Sequence, residues 1–176
     1  RRAFTSLPEP RLIDAIGKAL PVGVPGQLTR LMTDIIRRPL PIGEHIRQGR
    51  GIPQGSPLSP MFLNVFLDRH LDQKWDHQRW PMARYADDII LLAESRGDAD
   101  TALRTLKDLL RPNGLTLRDE IPPPAELTCG DSAEWLGFTL SWNGTRTRLG
   151  LATTAWHRLT DALQYAESVD DPHRNA

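Results

Sequence analysis

The chain has 176 residues, enough for one domain with a real core. It is 39% hydrophobic and carries 22 basic against 22 acidic residues, so its formal charge is zero, which is not the bulk signature of a nucleic-acid binder. No stretch approaches the roughly 20 apolar residues of a membrane span, so no membrane partner is expected. The charge is uneven. Residues 1–50 hold nine Arg/Lys and four Asp/Glu, a net of +5, and the remainder is net −5. A basic N-terminal part can supply phosphate contacts. Cys129 is the single cysteine, which rules out an internal disulfide, fits a reducing compartment and leads to a cytoplasmic expectation. Cys129 itself reads as a small buried apolar residue. The chain opens on Arg1 and reads as cut from something longer.

Phe4 centres a short apolar start, punctuated by Pro8 and Pro10. Leu12, Ile13, Ile16 and Leu20 fall at helical spacing, with Pro21 and Gly23 as the stop. Leu28, Leu31, Met32, Ile35 and Ile36 mark a second helix, halted before Pro39. The basic connector from Pro39 to Arg50 predicts two short strands or a hairpin. Gly51 to Pro60 is rich in Gly, Pro and Ser and must be a shaped loop. Ser59 is a candidate helix cap and Pro60 suits the first turn. Met61, Phe62, Val65, Phe66 and Leu71 then recur at helical spacing, with Asn64 as the polar exception. Such an amide is expected to cap or crosslink something nearby. Asp68 to Arg79 is charged and expected to be exposed.

Arg84-Tyr85-Ala86-Asp87-Asp88 leads into the apolar run Ile89 to Leu92. The run predicts a strand buried on both faces, with a buried helix as the alternative. Asp87 and Asp88 then fall at the turn of a hairpin feeding it. Two unit charges 4–5 Å apart repel by roughly 3–4 kcal/mol at a surface-like dielectric. Solvation, partial protonation or a cation must relieve this, and oxygen-only donors suit a hard ion such as Mg²⁺. Taken alone, an Asp-Asp pair is ordinary turn chemistry.

Beyond the pair, Asp98 can cap a helix reaching about Leu110, closed by Pro112-Asn113-Gly114. Leu115 to Leu117 predicts a short strand, and Ile121 to Pro124 an extended linker. Trp135 to Trp142 with Asn143-Gly144 predicts a hairpin whose second strand is Thr145 to Leu151. Thr154 to Glu167 is a last helix, and the polar tail from Ser168 reads as disordered.

The order of elements is α+β. The set Pro53-Gln54-Gly55, Ser59-Pro60 and Asn64, followed by Tyr85-Ala86-Asp87-Asp88 and Trp135-Leu136-Gly137-Phe138, resembles the palm of reverse transcriptases, most of all bacterial ones of the group II intron and retron type. The resemblance covers roughly residues 1–150. It implies an antiparallel sheet with helices packed on one face, fingers largely absent and a thumb of at most one helix. It implies a palm over residues 1–151 and the start of a thumb over 152–176. The implied activity is RNA-directed DNA polymerisation by two-metal-ion catalysis, with an RNA template, a DNA primer and a dNTP as partners. Asp87 and Asp88 match the metal-binding carboxylates, for two Mg²⁺ ions with Mn²⁺ able to substitute. Gln54 and Gly55, with Ser59 and Asn64, match the region under template and nucleotide. Phe4 matches the ring that excludes a 2′-hydroxyl, although a plain core Phe explains it equally well. Tyr85 matches a residue near the primer end, and Trp135, Leu136, Gly137 and Phe138 match the primer grip.

The chain also departs from that pattern. The first family carboxylate would lie ahead of Arg1. Ile121 stands where the family carries a lysine that aids pyrophosphate departure. A second reading is therefore an inactive reverse-transcriptase-like remnant that binds nucleic acid or protein. A third is a protein that works with a partner chain supplying the fingers.

Overall fold

The computed structural model describes residues 6–37, 40–42, 45–47, 50–52, 56–118 and 120–169. It divides into two compact units, residues 1–122 and 123–176. The first unit carries α1 (Glu9–Ala19), α2 (Gly26–Ile36), β1 (Leu40–Ile42), β2 (His45–Arg47), α3 (Ser59–His70), β3 (Met82–Tyr85), β4 (Asp88–Leu91) and α4 (Arg96–Leu110). The second carries β5 (Ser132–Trp135), β6 (Phe138–Trp142), β7 (Thr147–Leu151) and α5 (Thr153–Val169). Every strand pairing among the described residues is antiparallel, in keeping with the α+β expectation.

The core of the first unit is helical. Leu12, Ala15 and Ile16 of α1 meet Phe62, Leu63, Phe66 and Leu67 of α3 and Ala102, Leu106 and Leu110 of α4 in one buried cluster. The inward positions recur every three or four residues, so each helix presents one stripe. Leu7, Ile52 and Leu115 extend the cluster from the chain segments flanking those helices. Leu28 and Leu31 of α2 stay exposed, so only part of its expected apolar face is used. The connector expected after α2 is a hairpin, with Leu40 opposite Arg47.

Leu71 and Trp75 are buried inside the charged stretch 68–79, which corrects the expectation of exposure throughout, and Trp80 just beyond it is buried too. Trp75 Nε1 donates to the Trp80 carbonyl at 2.7 Å, and Trp80 Nε1 donates to Asp98 Oδ1 at 2.9 Å. Each ring thus buries its apolar body while its one donor is satisfied.

Four other local expectations are corrected. Ser95, not Asp98, caps α4: its Oγ accepts from the Asp98 N–H at 3.2 Å. Ser95 is extended at φ −148°, as a cap must be, and Asp98 sits in the first turn. Ser59 is not a cap either. It is buried inside the first turn of α3, and the Ser56 hydroxyl accepts from the Leu58 N–H instead. Leu115 to Leu117 forms no ladder among the described residues. Leu115 is drawn into the core while Gly114, at φ +74°, has no room for a Cβ beside Pro8. Cys129 is exposed rather than buried, in a short 3₁₀ turn, Leu127–Cys129.

In the second unit, β5 and β6 are joined by Leu136-Gly137, with φ of +51° and +80°. Both central residues at positive φ is the pattern of a tight hairpin turn. β6 and β7 are joined through Asn143-Gly144, where Asn143 Oδ1 accepts from the N–H groups of Thr145 and Arg146. The expected hairpin is present, although its second strand starts at Thr147. Among the described residues of this unit, Ala152 is the fully buried hydrophobic one. No helix among the described residues is long and apolar enough to cross a membrane.

Candidate functional site

β3 and β4 pair from Met82–Leu91 to Tyr85–Asp88, leaving Ala86 and Asp87 as a two-residue turn. Met82, Ile89, Leu91 and Ala86 pack their half-buried side chains on the helical core. On the opposite face Ala83, Tyr85 and Asp88 are exposed and Ile90 is half-buried, and Leu92 beyond the strand is 50% exposed. The strand is therefore half-buried, not buried on both faces as its composition predicts, because a two-stranded hairpin has helices on one side only. The packing fixes the hairpin and leaves its tip outward, so Asp87 and Asp88 stand exposed at the turn.

The turn is strained. Ala86 has φ +52°, in the left-handed region that costs an L-residue about 1–2 kcal/mol. Arg84 offsets that cost. Its Nη1 donates to the Ala86 carbonyl at 2.9 Å and to Asn64 Oδ1 at 2.8 Å. Its Nε donates to both carboxylate oxygens of Asp72, at 3.0 and 3.2 Å, and its Nη2 also meets Oδ2. Arg84 is 11% and Asp72 24% exposed, so the pair is shielded from solvent. A hydrogen bond from a charged donor contributes about 1.5–3 kcal/mol, enough to hold the turn against its strain.

Asp88 has a second neighbour. Arg118 Nη2 lies 3.6 Å from Asp88 Oδ1. The side chains are 83% and 49% exposed, so this pair is worth at most about 1 kcal/mol. It relieves part of the repulsion between the adjacent acids without closing the site.

The remaining expected site residues fall in three groups. Asn64 joins the hairpin through Arg84, which is the crosslink its polar isolation on α3 predicts. Tyr85 is 66% exposed beside the turn, and Ser59 is buried at the start of α3. Trp135, Leu136, Gly137 and Phe138 form the β5–β6 turn of the other unit, with Leu136 and Phe138 exposed and the Trp135 Nε1 buried without a partner among the described residues. Phe4, Gln54 and Gly55 lie outside the described residues.

Arg84, Asp72 and Arg118 were not reached from the motifs. A signal for Arg84 existed: alternation along β3 puts it on the inward face with Met82, and an arginine at an inward strand position must find a buried acceptor. Asp72 and Arg118 leave no such trace, because their partners are distant in the chain.

Among the described residues no group of three His, Cys, Asp or Glu converges. Two hard oxygen donors on an exposed turn nevertheless fit Mg²⁺, which keeps waters and substrate phosphates in its shell and needs only one or two carboxylates.

Comparison with known proteins bears on the same hairpin. The family described as reverse transcriptase (RNA-dependent DNA polymerase) matches residues 15–140, which include α3, the hairpin and α4. The Retrovirus-related Pol polyprotein from type-1 retrotransposable element R2 of Nasonia vitripennis is 27% identical over 131 residues, 66% of this chain. The corresponding polyprotein from type-2 retrotransposable element R2DM of Drosophila melanogaster is 33% identical over 81 residues, 42% of this chain. The chain spans 12% and 8% of the length of these two relatives. With the family match running through most of its length and across the acidic hairpin, the chain belongs to the reverse transcriptase family.

Proposed function

We propose that this chain is the palm part of an RNA-directed DNA polymerase, covering residues 1–151, with residues 152–176 beginning a thumb. Reverse transcriptases as a family act on nucleic acid with divalent metal ions. Our finer reading is that the ion is Mg²⁺, that a dNTP is joined to a DNA primer on an RNA template, and that Asp87 and Asp88 are the ligands this chain contributes. The observation that carries it is the strained turn at Ala86, which holds two adjacent acids outward on a hairpin fixed to a rigid core.

When bound, divalent ions would supply Lewis-acid stabilisation of the attacking 3′-oxygen and the leaving pyrophosphate. The chain's own part is to orient. Ala86 and Asp87 form the turn, Asp88 opens β4, and Arg84 holds the turn's backbone. Tyr85, exposed beside it, offers a ring to the primer end. Trp135 to Phe138 are our candidates for the primer grip, and Phe4, Gln54, Gly55, Ser59 and Asn64 for the nucleotide and template side.

Primer extension on an RNA template, by the polypeptide that contains this chain, tests the reading. Asp87→Asn and Asp88→Asn are each expected to lower extension by about a hundredfold or more, the scale on which a positioned metal stabilises transition-state charge. Unchanged extension in both variants overturns it. One observation favours a second reading, a non-polymerising nucleic-acid-binding relative. Ile121, 38% exposed, puts no titratable group where the family resemblance expects lysine. Salt-dependent RNA binding with no incorporation by the same polypeptide would select that alternative.

A further inference from the structure

We infer that Arg84 is a positioning residue: its guanidinium, fixed by Asp72 and Asn64, holds the Ala86–Asp87 turn and so sets where the two carboxylates stand. The inference rests on the reading of Asp87 and Asp88 as metal ligands. Guanidinium is a planar fork of N–H donors, and here each edge has its own task. The Nε–Nη2 edge faces the Asp72 carboxylate in the 3₁₀ turn Asp72–Lys74. Nη1 is shared between Asn64 on α3 and the Ala86 carbonyl.

That carbonyl belongs to the same peptide plane as the Asp87 N–H. Fixing its oxygen fixes the plane, and with it the direction in which Asp87 leaves the backbone. An ion pair serving packing alone would be complete with Asp72. The third arm is spent instead on the backbone of a turn whose first residue sits at φ +52°. The charge is also neutralised where it stands, because Asp72 takes it up in a shielded setting. Arg84 therefore orders the site without competing for its anions, whereas Arg118, 83% exposed beside Asp88, is a direct competitor. Lysine cannot replace Arg84, since its three donors share one nitrogen on a flexible stem and cannot span acceptors on separate edges of a planar fork.

The test uses the chain Arg1–Ala176 with Mn²⁺ alone as the probe. The variants are Arg84→Lys and the double change Arg84→Met with Asp72→Leu. The double change removes both charges together and avoids stranding a shielded carboxylate, so it keeps the test open if Arg84→Lys does not fold. Two readouts are taken on folded protein: the Ala86 amide–Hα scalar coupling, which reports φ, and the Mn²⁺ dissociation constant. The expected result is a coupling no longer characteristic of one left-handed φ and Mn²⁺ binding about tenfold or more weaker, with the melting midpoint little changed. Folded variants that keep the parental coupling and Mn²⁺ affinity overturn the inference. Asp87→Asn serves as the control for the underlying reading. If the parent binds Mn²⁺ no better than this control, the metal assignment falls, and the Ala86 coupling then decides the role of Arg84 by itself.

Discussion

Arg118 and His70 show how one side chain sets a measurable property. The Arg118 guanidinium occupies part of the field of Asp88 at 3.6 Å, so Arg118→Ala is expected to tighten Mn²⁺ binding. The gain should stay below about fivefold, because an exposed pair is worth under roughly 1 kcal/mol; titration at two salt concentrations checks it, with the difference shrinking at high salt. His70 packs against Phe66 with ring centroids 4.5 Å apart and planes tilted by 46°, and its Nε2 is buried without a partner among the described residues. Burial holds its pKa below the usual imidazole value of 6.5, aided by Lys74, Arg11 and Arg69 and opposed by Asp14. The unfolded chain therefore binds a proton more readily than the folded one. Stability from this group is complete above pH 6.5 and is lost as pH falls through the lowered pKa. Urea unfolding across that window should show the loss in the parent, and His70→Leu should flatten it.

Two helix ends show what decides an element's limits. Ser95→Ala removes the hydroxyl that accepts from the Asp98 N–H, and a lost cap of this kind costs about 1 kcal/mol. Gly114→Ala is expected to cost more. The position has φ +74°, and a Cβ would meet Pro8 Cγ at 2.9 Å, inside the closest normal contact. Strain and overlap together predict a loss of about 2 kcal/mol or more, read as a lower denaturation midpoint. Helical periodicity made α1, α3 and α4 legible because their inward stripes repeat in the chain itself. The cap of α4 is not legible in the chain because Ser95 and Asp98 both suit such a role, and only the extended backbone at Ser95 chooses between them. The strand expected at Leu115 to Leu117 failed for a different reason: a strand needs a partner, and no local pattern supplies one.

At the scale of the whole molecule, the boundary between the two units falls at Pro122–Pro123. Residues 120–126 around it carry no helix or strand, and Glu120 and Glu126 are exposed. A glutamate-specific protease is expected to cut first at these two positions and to release fragments that divide at this linker; first cuts at Glu134 in β5 or Glu167 in α5 would contradict that division. Ile121-Pro122-Pro123-Pro124 announces the linker in composition, whereas the functional boundary at residue 151 comes from family resemblance and stands as a proposal.

By itself the sequence determined the helices of the core, the acidic hairpin with its turn, and the family, because periodicity, turn chemistry and motif spacing are all written along the chain. Only the tertiary structure decided that Arg84 braces Ala86, that Asp72 neutralises it, and that Arg118 leans on Asp88. Those three facts depend on which groups meet after the helices pack. Electrostatic partners are chosen by distance in space, and nothing in their spacing along the chain encodes it.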